Sequence, residues 1–169
     1  MKDIFRTYSY KLKRILFKFN FILIIILSSF AGDNPKLCEE IIKQSCKALE
    51  PYNYDSAEST IIKYKGVEQK LSDIEVTLYF GERYRFVFNT ENAPNGIKIE
   101  VFDKKSKSSN RQLLFSSEEF KNNKKILYFE PTKSRTMYIN YTIPAVTSSD
   151  SLKTGCVAFA LGYEIKKLF

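Results

Sequence analysis

"IEVTLYFGERYRFVFN", residues 74–89, alternates apolar and polar side chains on either side of a glycine. Ile74, Val76, Leu78 and Phe80 fall on one face of an extended segment, and Tyr84, Phe86 and Phe88 share a face of the next. A period of two is the signature of half-buried strands, and Gly81-Glu82 is the turn between them. The same rhythm recurs in "IKIEVFD" with Ile97, Ile99 and Val101, in "KKILYFE", in "RTMYINYTI" with Met137, Ile139, Tyr141 and Ile143, and in "GCVAFALGYE". "TIIKYK" and "QLLFS" are shorter candidates. Polar or glycine-containing stretches separate these runs at 92–96, 104–110 and 147–154.

About eight short strands with turns between them predict a mainly β chain folded as an antiparallel, jelly-roll-like sandwich. A parallel sheet needs crossover helices, and only one amphipathic helix is legible. It lies in "DNPKLCEEIIKQSCKALEP", where Asn34 is a capping side chain, Pro35 suits the first helical position, and Glu39 and Glu40 lie near the positive end. Leu37, Ile41, Ala48 and Leu49, with Cys38 and Ile42 beside them, form a stripe wide enough to dock on a sheet, leaving Lys43, Gln44 and Lys47 outside.

Ahead of this helix, Lys2, Arg6, Lys11, Lys13, Arg14 and Lys18 precede an apolar run from Phe21 to Leu27 and the small residues Ser28, Ser29 and Ala31. Basic, apolar and small regions in that order predict a secretory signal over residues 1–31, cut before Gly32. The apolar run is short of the ~20 residues that span a bilayer, so no stable span is expected after cleavage. The domain reading is therefore a signal over 1–31, the helix and linker over 32–51, and the sandwich over 52–169, in a chain exported to the periplasm or the extracellular space. Alternating strands in an exported chain also suit an outer-membrane barrel, but those strands need ~9 to 11 residues, and most runs here are shorter.

The whole chain carries 27 basic and 19 acidic residues, a net of +8. Residues 32–169 hold 21 basic and 18 acidic, so most of the excess belongs to the leader. No basic cluster interleaved with aromatics remains to suggest a nucleic-acid partner, and Lys104, Lys105 and Lys107 read as a solvated loop. Histidine is absent, which removes Ser-His-Asp and Cys-His nucleophilic sites and most zinc sites. Six scattered glycines make no phosphate loop. The acids Glu39/Glu40, Glu118/Glu119, Glu91 and Asp103 are candidates for glycoside chemistry only if two of them converge, and Asp33, Asn34 and Asp150 lack the oxygen spacing of a calcium loop. The "NYT" sequon at Asn140 lies inside a strand. The expectation is a non-catalytic protein without a cofactor or metal.

Three thiols remain: Cys38, Cys46 and Cys156. In an exported domain two of them are expected to be oxidised. Cys38 and Cys46 stand ~12 Å apart along one helix and cannot join each other, so one of them reaches Cys156. Helix phase places Cys38 near the centre of the stripe and Cys46 at its edge. That leans towards Cys38 and leaves Cys46 open.

The segments "SCKALEPYNYDS", "LYFGERYRFVFNTENAPNGIKIEVFDKK", "RQLLFSS", "EPTKSRTMYINYTIP" and "GCVAFALGYE" together resemble a family of small secreted proteins of unknown function from Bacteroidota. The resemblance covers most of residues 32–169 and implies no activity. It implies that the disulfide joins Cys46 to Cys156 and that Cys38 is the extra thiol. The strand-turn-strand around Gly81 and the order of strands are similar to those of prepeptidase C-terminal-type jelly-roll modules, a likeness of fold only. Two functions follow as expectations. One is an exported module that binds a protein or envelope component through a sheet face or loops. The other is a carbohydrate-binding module stacking sugars on Tyr79, Tyr138 and Tyr163.

Overall fold

The computed structural model describes residues 35–63, 65–120, 124–145 and 154–165. The expected signal over 1–31, the capping Asn34 and the calcium candidates Asp33 and Asp150 lie outside the described residues. One helix, α1 (Pro35–Lys47), leads into eight strands: β1 (Asn53–Lys63), β2 (Gln69–Thr77), β3 (Glu82–Asn89), β4 (Lys98–Phe102), β5 (Leu113–Ser116), β6 (Ile126–Phe129), β7 (Thr136–Ile143) and β8 (Thr154–Ile165). No helix among the described residues is long and apolar enough to cross a membrane.

The strands form two four-stranded antiparallel sheets, ordered β1-β8-β3-β6 and β2-β7-β4-β5. Ladders β1·β8, β2·β7, β3·β6 and β4·β5 nest inside one another, and β3·β8 and β4·β7 complete the sheets. This nested pairing is the jelly-roll arrangement, in which consecutive strands alternate between sheets except at the β4–β5 hairpin. Val76, Leu78, Phe86, Phe88, Ile99, Val101, Met137, Ile139, Tyr141, Val157, Phe159 and Leu161 fill the space between the sheets. Rings of Phe86, Phe88, Phe115, Phe129 and Phe159 meet at centroid separations of 5.3 to 6.2 Å, the range of favourable aromatic contact.

Strand β8 is buried on both sides, and its sequence shows how. Val157, Phe159 and Leu161 face the other sheet, whereas Cys156, Ala158, Ala160 and Gly162 are small enough to let α1 lie against the outer face. Cys38 and Ile41 pack on Cys156 and Ala158, and Leu49 packs on Ala160 and Val87. Burying Ile41 and Leu49 contributes ~1.5 to 3 kcal/mol each. The chain then turns at a cis Glu50–Pro51 bond into β1.

Four local expectations are corrected. Glu39 and Glu40 lie beyond the first turn of α1, and Glu39 instead pairs with Lys43 at 2.7 Å. Gln44, expected on the solvent side, accepts a hydrogen bond from the buried Asn89 at 3.1 Å. Strand β2 stops at Thr77, so Tyr79 and Phe80 leave the sheet and Phe80 is 98% exposed. The chain must cross to the other sheet here, and Gly81 makes the turn at φ +95°. Strand β1 begins seven residues before "TIIKYK", at Asn53. An edge strand needs less apolar alternation, and this one carries Ser56 and Glu58 on its inner face, opposite Leu161 and Phe159.

Candidate functional site

The disulfide joins Cys38 to Cys156, 118 positions apart in the sequence, with Cα atoms 5.7 Å apart, while Cys46 is free. The pairing of Cys46 with Cys156 is therefore corrected. Helix α1 runs alongside β8 in the same direction, so eight residues of helix carry Cys46 ~12 Å past Cys38, level with Ala160. There it packs near Leu49, and burial pushes its thiol pKa up. This thiol is a packing residue and a poor nucleophile at neutral pH.

The three candidate tyrosines do not share a face. Tyr79 stands 69% exposed in the β2–β3 connection. Tyr163 points inward and packs against the core between the sheets. Tyr138 lies on the outer face of the β2-β7-β4-β5 sheet, with the Lys105 ammonium 5.6 Å from its ring centre. Lys105 is carried there by the β4–β5 connection. Asp73 anchors that connection by accepting hydrogen bonds from the backbone N–H of Ser106 at 2.8 Å and its hydroxyl at 2.6 Å. Asn140 of the sequon is also committed, accepting from the Asp73 N–H at 2.9 Å.

A polar cleft of about 210 Å³ lies beside Tyr79, at the end of the sandwich where the β2–β3 and β6–β7 connections meet the residues before β1. Tyr52, Glu82, Arg83, Tyr84 and Glu130 line it. Tyr84 rises from the inner face of β3, its ring buried and its hydroxyl at the cleft. That hydroxyl donates to the Glu82 carboxylate and accepts the Tyr79 N–H at 3.1 Å. Burial, reinforced by the bond to Glu82, pushes the Tyr84 pKa up to about 12, so the phenol stays protonated.

Arg85 organises the other wall. Its guanidinium donates to Glu130 at 2.7 Å and to the Glu50 carbonyl at 2.8 Å, and it covers the Tyr52 ring at 4.3 Å from the centroid. The Tyr52 pKa is raised, first by burial and then by Glu130. Arg83 pairs with Glu164 at the rim. Glu82 and Glu130 thus converge on one cleft, which none of the acids singled out from the sequence does. Each is held by a partner, Glu82 by a phenol and Glu130 by a guanidinium, an arrangement suited to fixing hydrogen-bond donors and acceptors in place.

Sequence reasoning missed this grouping because Tyr52 and Glu130 lie about 30 and 45 residues from Glu82, Tyr84 and Arg85 of β3, and only the fold brings the three segments together. The one local signal was "LYFG", where an alternating run ends on two aromatics and a glycine. At the opposite end a cavity of about 260 Å³ includes Lys98, Lys124 and Lys125. Two of its cations are already engaged, Lys98 by Glu100 and Glu118 and Lys125 by Asn95. Among the described residues no group of three His, Cys, Asp or Glu side chains could hold a metal ion.

Comparison with protein-family models, with curated proteins and with solved structures finds no match for this chain. Function is therefore read from the residues themselves.

Proposed function

We propose that this protein is an exported, non-catalytic binding module that holds a protein or envelope component at the Tyr52–Tyr84 end of its sandwich. One observation carries the reading: Phe80, 98% exposed beside the exposed Tyr79, stands next to a cleft whose polar groups are already oriented. An exposed aromatic pair on a turn serves no packing role and is a ready anchor for a partner, with the cleft supplying hydrogen bonds around it. Export is supported by the order of basic, apolar and small residues over 1–31 and by the disulfide.

A photo-crosslinking side chain placed at position 80, in cells that make the protein, tests this against the same probe at Val67 in the β1–β2 connection. An adduct specific to position 80 supports the reading. Identical adducts from both positions, or none, overturn it. The carbohydrate reading keeps one supporting observation, the exposed side chain of Tyr79, whose backbone N–H donates to the Tyr84 hydroxyl. Retardation in polysaccharide gels that Tyr79→Ala abolishes would favour it.

A further inference from the structure

Strand β1 is an edge of one sheet and β2 an edge of the other, the opposite edges being β6 and β5, and β1 and β2 lie on the same side of the sandwich. Between them runs a groove of about 420 Å³. Ile74, Val76, Phe159 and Leu161 form its floor, and Asp55, Glu58 and Glu75 are the charged residues that line it; no cationic side chain does. Glu75 is paired with Lys105. Among the described residues, the Asp55 and Glu58 carboxylates have no ion pair, and the one hydrogen bond to either is from the neighbouring Ser56 hydroxyl to Asp55 at 2.9 Å.

Glu58 is unusual in its placement. It pairs across the ladder with Phe159, on the inner face of the sheet, where an edge strand would ordinarily carry an apolar side chain. A carboxylate there keeps neutral strands from adding to the edge, because it would be covered without a partner. It also works against a second copy of this chain, since apposed β1 edges bring Asp55 and Glu58 near their own like charges. A strand with cations on its inward face has neither cost.

We propose that the β1 edge receives an extended basic segment of another protein, in which Lys or Arg alternates with aliphatic residues, as an added strand. Backbone groups of β1 that point away from β8 supply the hydrogen bonds, as in other strand additions. Inward cations meet Asp55 and Glu58 while their aliphatic stems cover Ile74 and Val76. Outward aliphatic side chains lie beside Ile61, which is 44% exposed on the outer face of β1. This groove shares no lining residue with the cleft at the Phe80 end, and neither proposal depends on the other.

The test uses fluorescein-labelled peptides of three Lys-Val repeats and three Glu-Val repeats, titrated with the mature protein and read by fluorescence anisotropy. The basic peptide is expected to bind at least about tenfold more tightly than the acidic one. Glu58→Gln should weaken the basic peptide, and Asp55→Lys combined with Glu58→Lys should reverse the preference. Backbone N-methylation of the basic peptide, which leaves the protein untouched, should abolish binding, whereas Phe80→Asp should not change it. Equal binding of both peptides, undiminished binding of the N-methylated peptide, or a dimer of the protein that displaces the peptide would each overturn the proposal.

Discussion

Leu49 occupies the space that a side chain at position 162 would need: a Cβ on Gly162 would stand 2.9 Å from Leu49 Cδ2, and 3.0 Å from the Asn53 carbonyl oxygen. The outer face of β8 is therefore matched to the residues that follow α1. Gly162→Ala should destabilise the domain by ~1 to 3 kcal/mol through overpacking. Leu49→Ala alone should cost ~2 to 5 kcal/mol. Because the two residues share one space, the double variant should lose less than the sum in urea unfolding, though the Asn53 carbonyl keeps the relief incomplete.

The Cys38–Cys156 link closes a loop of more than a hundred residues, worth ~4 to 5 kcal/mol in the chain-entropy account. Cys38→Ser and Cys156→Ser should each lower stability by ~2 to 5 kcal/mol, and Cys46→Ser by less than ~1 kcal/mol. Non-reducing peptide mapping should recover the Cys38–Cys156 peptide pair and a single alkylated Cys46.

Without histidine the domain should show no steep change in stability between pH 6 and 8. At higher pH, Tyr84 makes a definite contribution. Its folded pKa of about 12 lies above the ordinary value of 10.0, so the folded chain holds this proton more tightly than the unfolded chain does. The stabilisation is complete below the unfolded value and is lost as pH rises through the folded one. Tyr52 and Tyr141 are raised in the same direction, both chiefly by burial. Tyr84→Phe should therefore reduce, without abolishing, the fall in urea midpoint between pH 10 and 12. An unchanged profile would show that Tyr84 does not hold its proton as the structure requires.

Phe80→Asp should leave the thermal midpoint within experimental scatter, because the side chain is almost wholly exposed. Gly81→Ala is the contrasting change. At φ +95° it should cost ~1 kcal/mol or more although no atom lies within 4 Å of the added methyl.

Arg85 is held by Glu130, by the Glu50 carbonyl and by the Tyr52 ring together. Lysine cannot reproduce that fork, so Arg85→Lys should destabilise nearly as much as Arg85→Met, by ~1 to 3 kcal/mol in denaturant titrations.

What the sequence determined by itself was whatever depends on local alternation. The period of two in "RYRFVFN" or "RTMYINYTI" specifies a strand and its inner face, the 3.6-residue stripe through Cys38, Ile41 and Leu49 specifies a docking helix, and their number and order suit a jelly-roll sandwich. Alternation says which face of a strand is buried but not which strand lies beside it. Only the tertiary structure placed β1 next to β8, and only the direction of α1 along β8 brought Cys38, not Cys46, against Cys156. Tyr52, Glu82, Tyr84 and Glu130 became one cleft for the same reason: the start of β3 meets the residues before β1 and the β6–β7 connection there, and no local period encodes that meeting. Glu58 was illegible in the opposite way. Its charge hid the inner face of β1, because an edge strand, half solvated, can place a carboxylate where a central strand must place an apolar side chain.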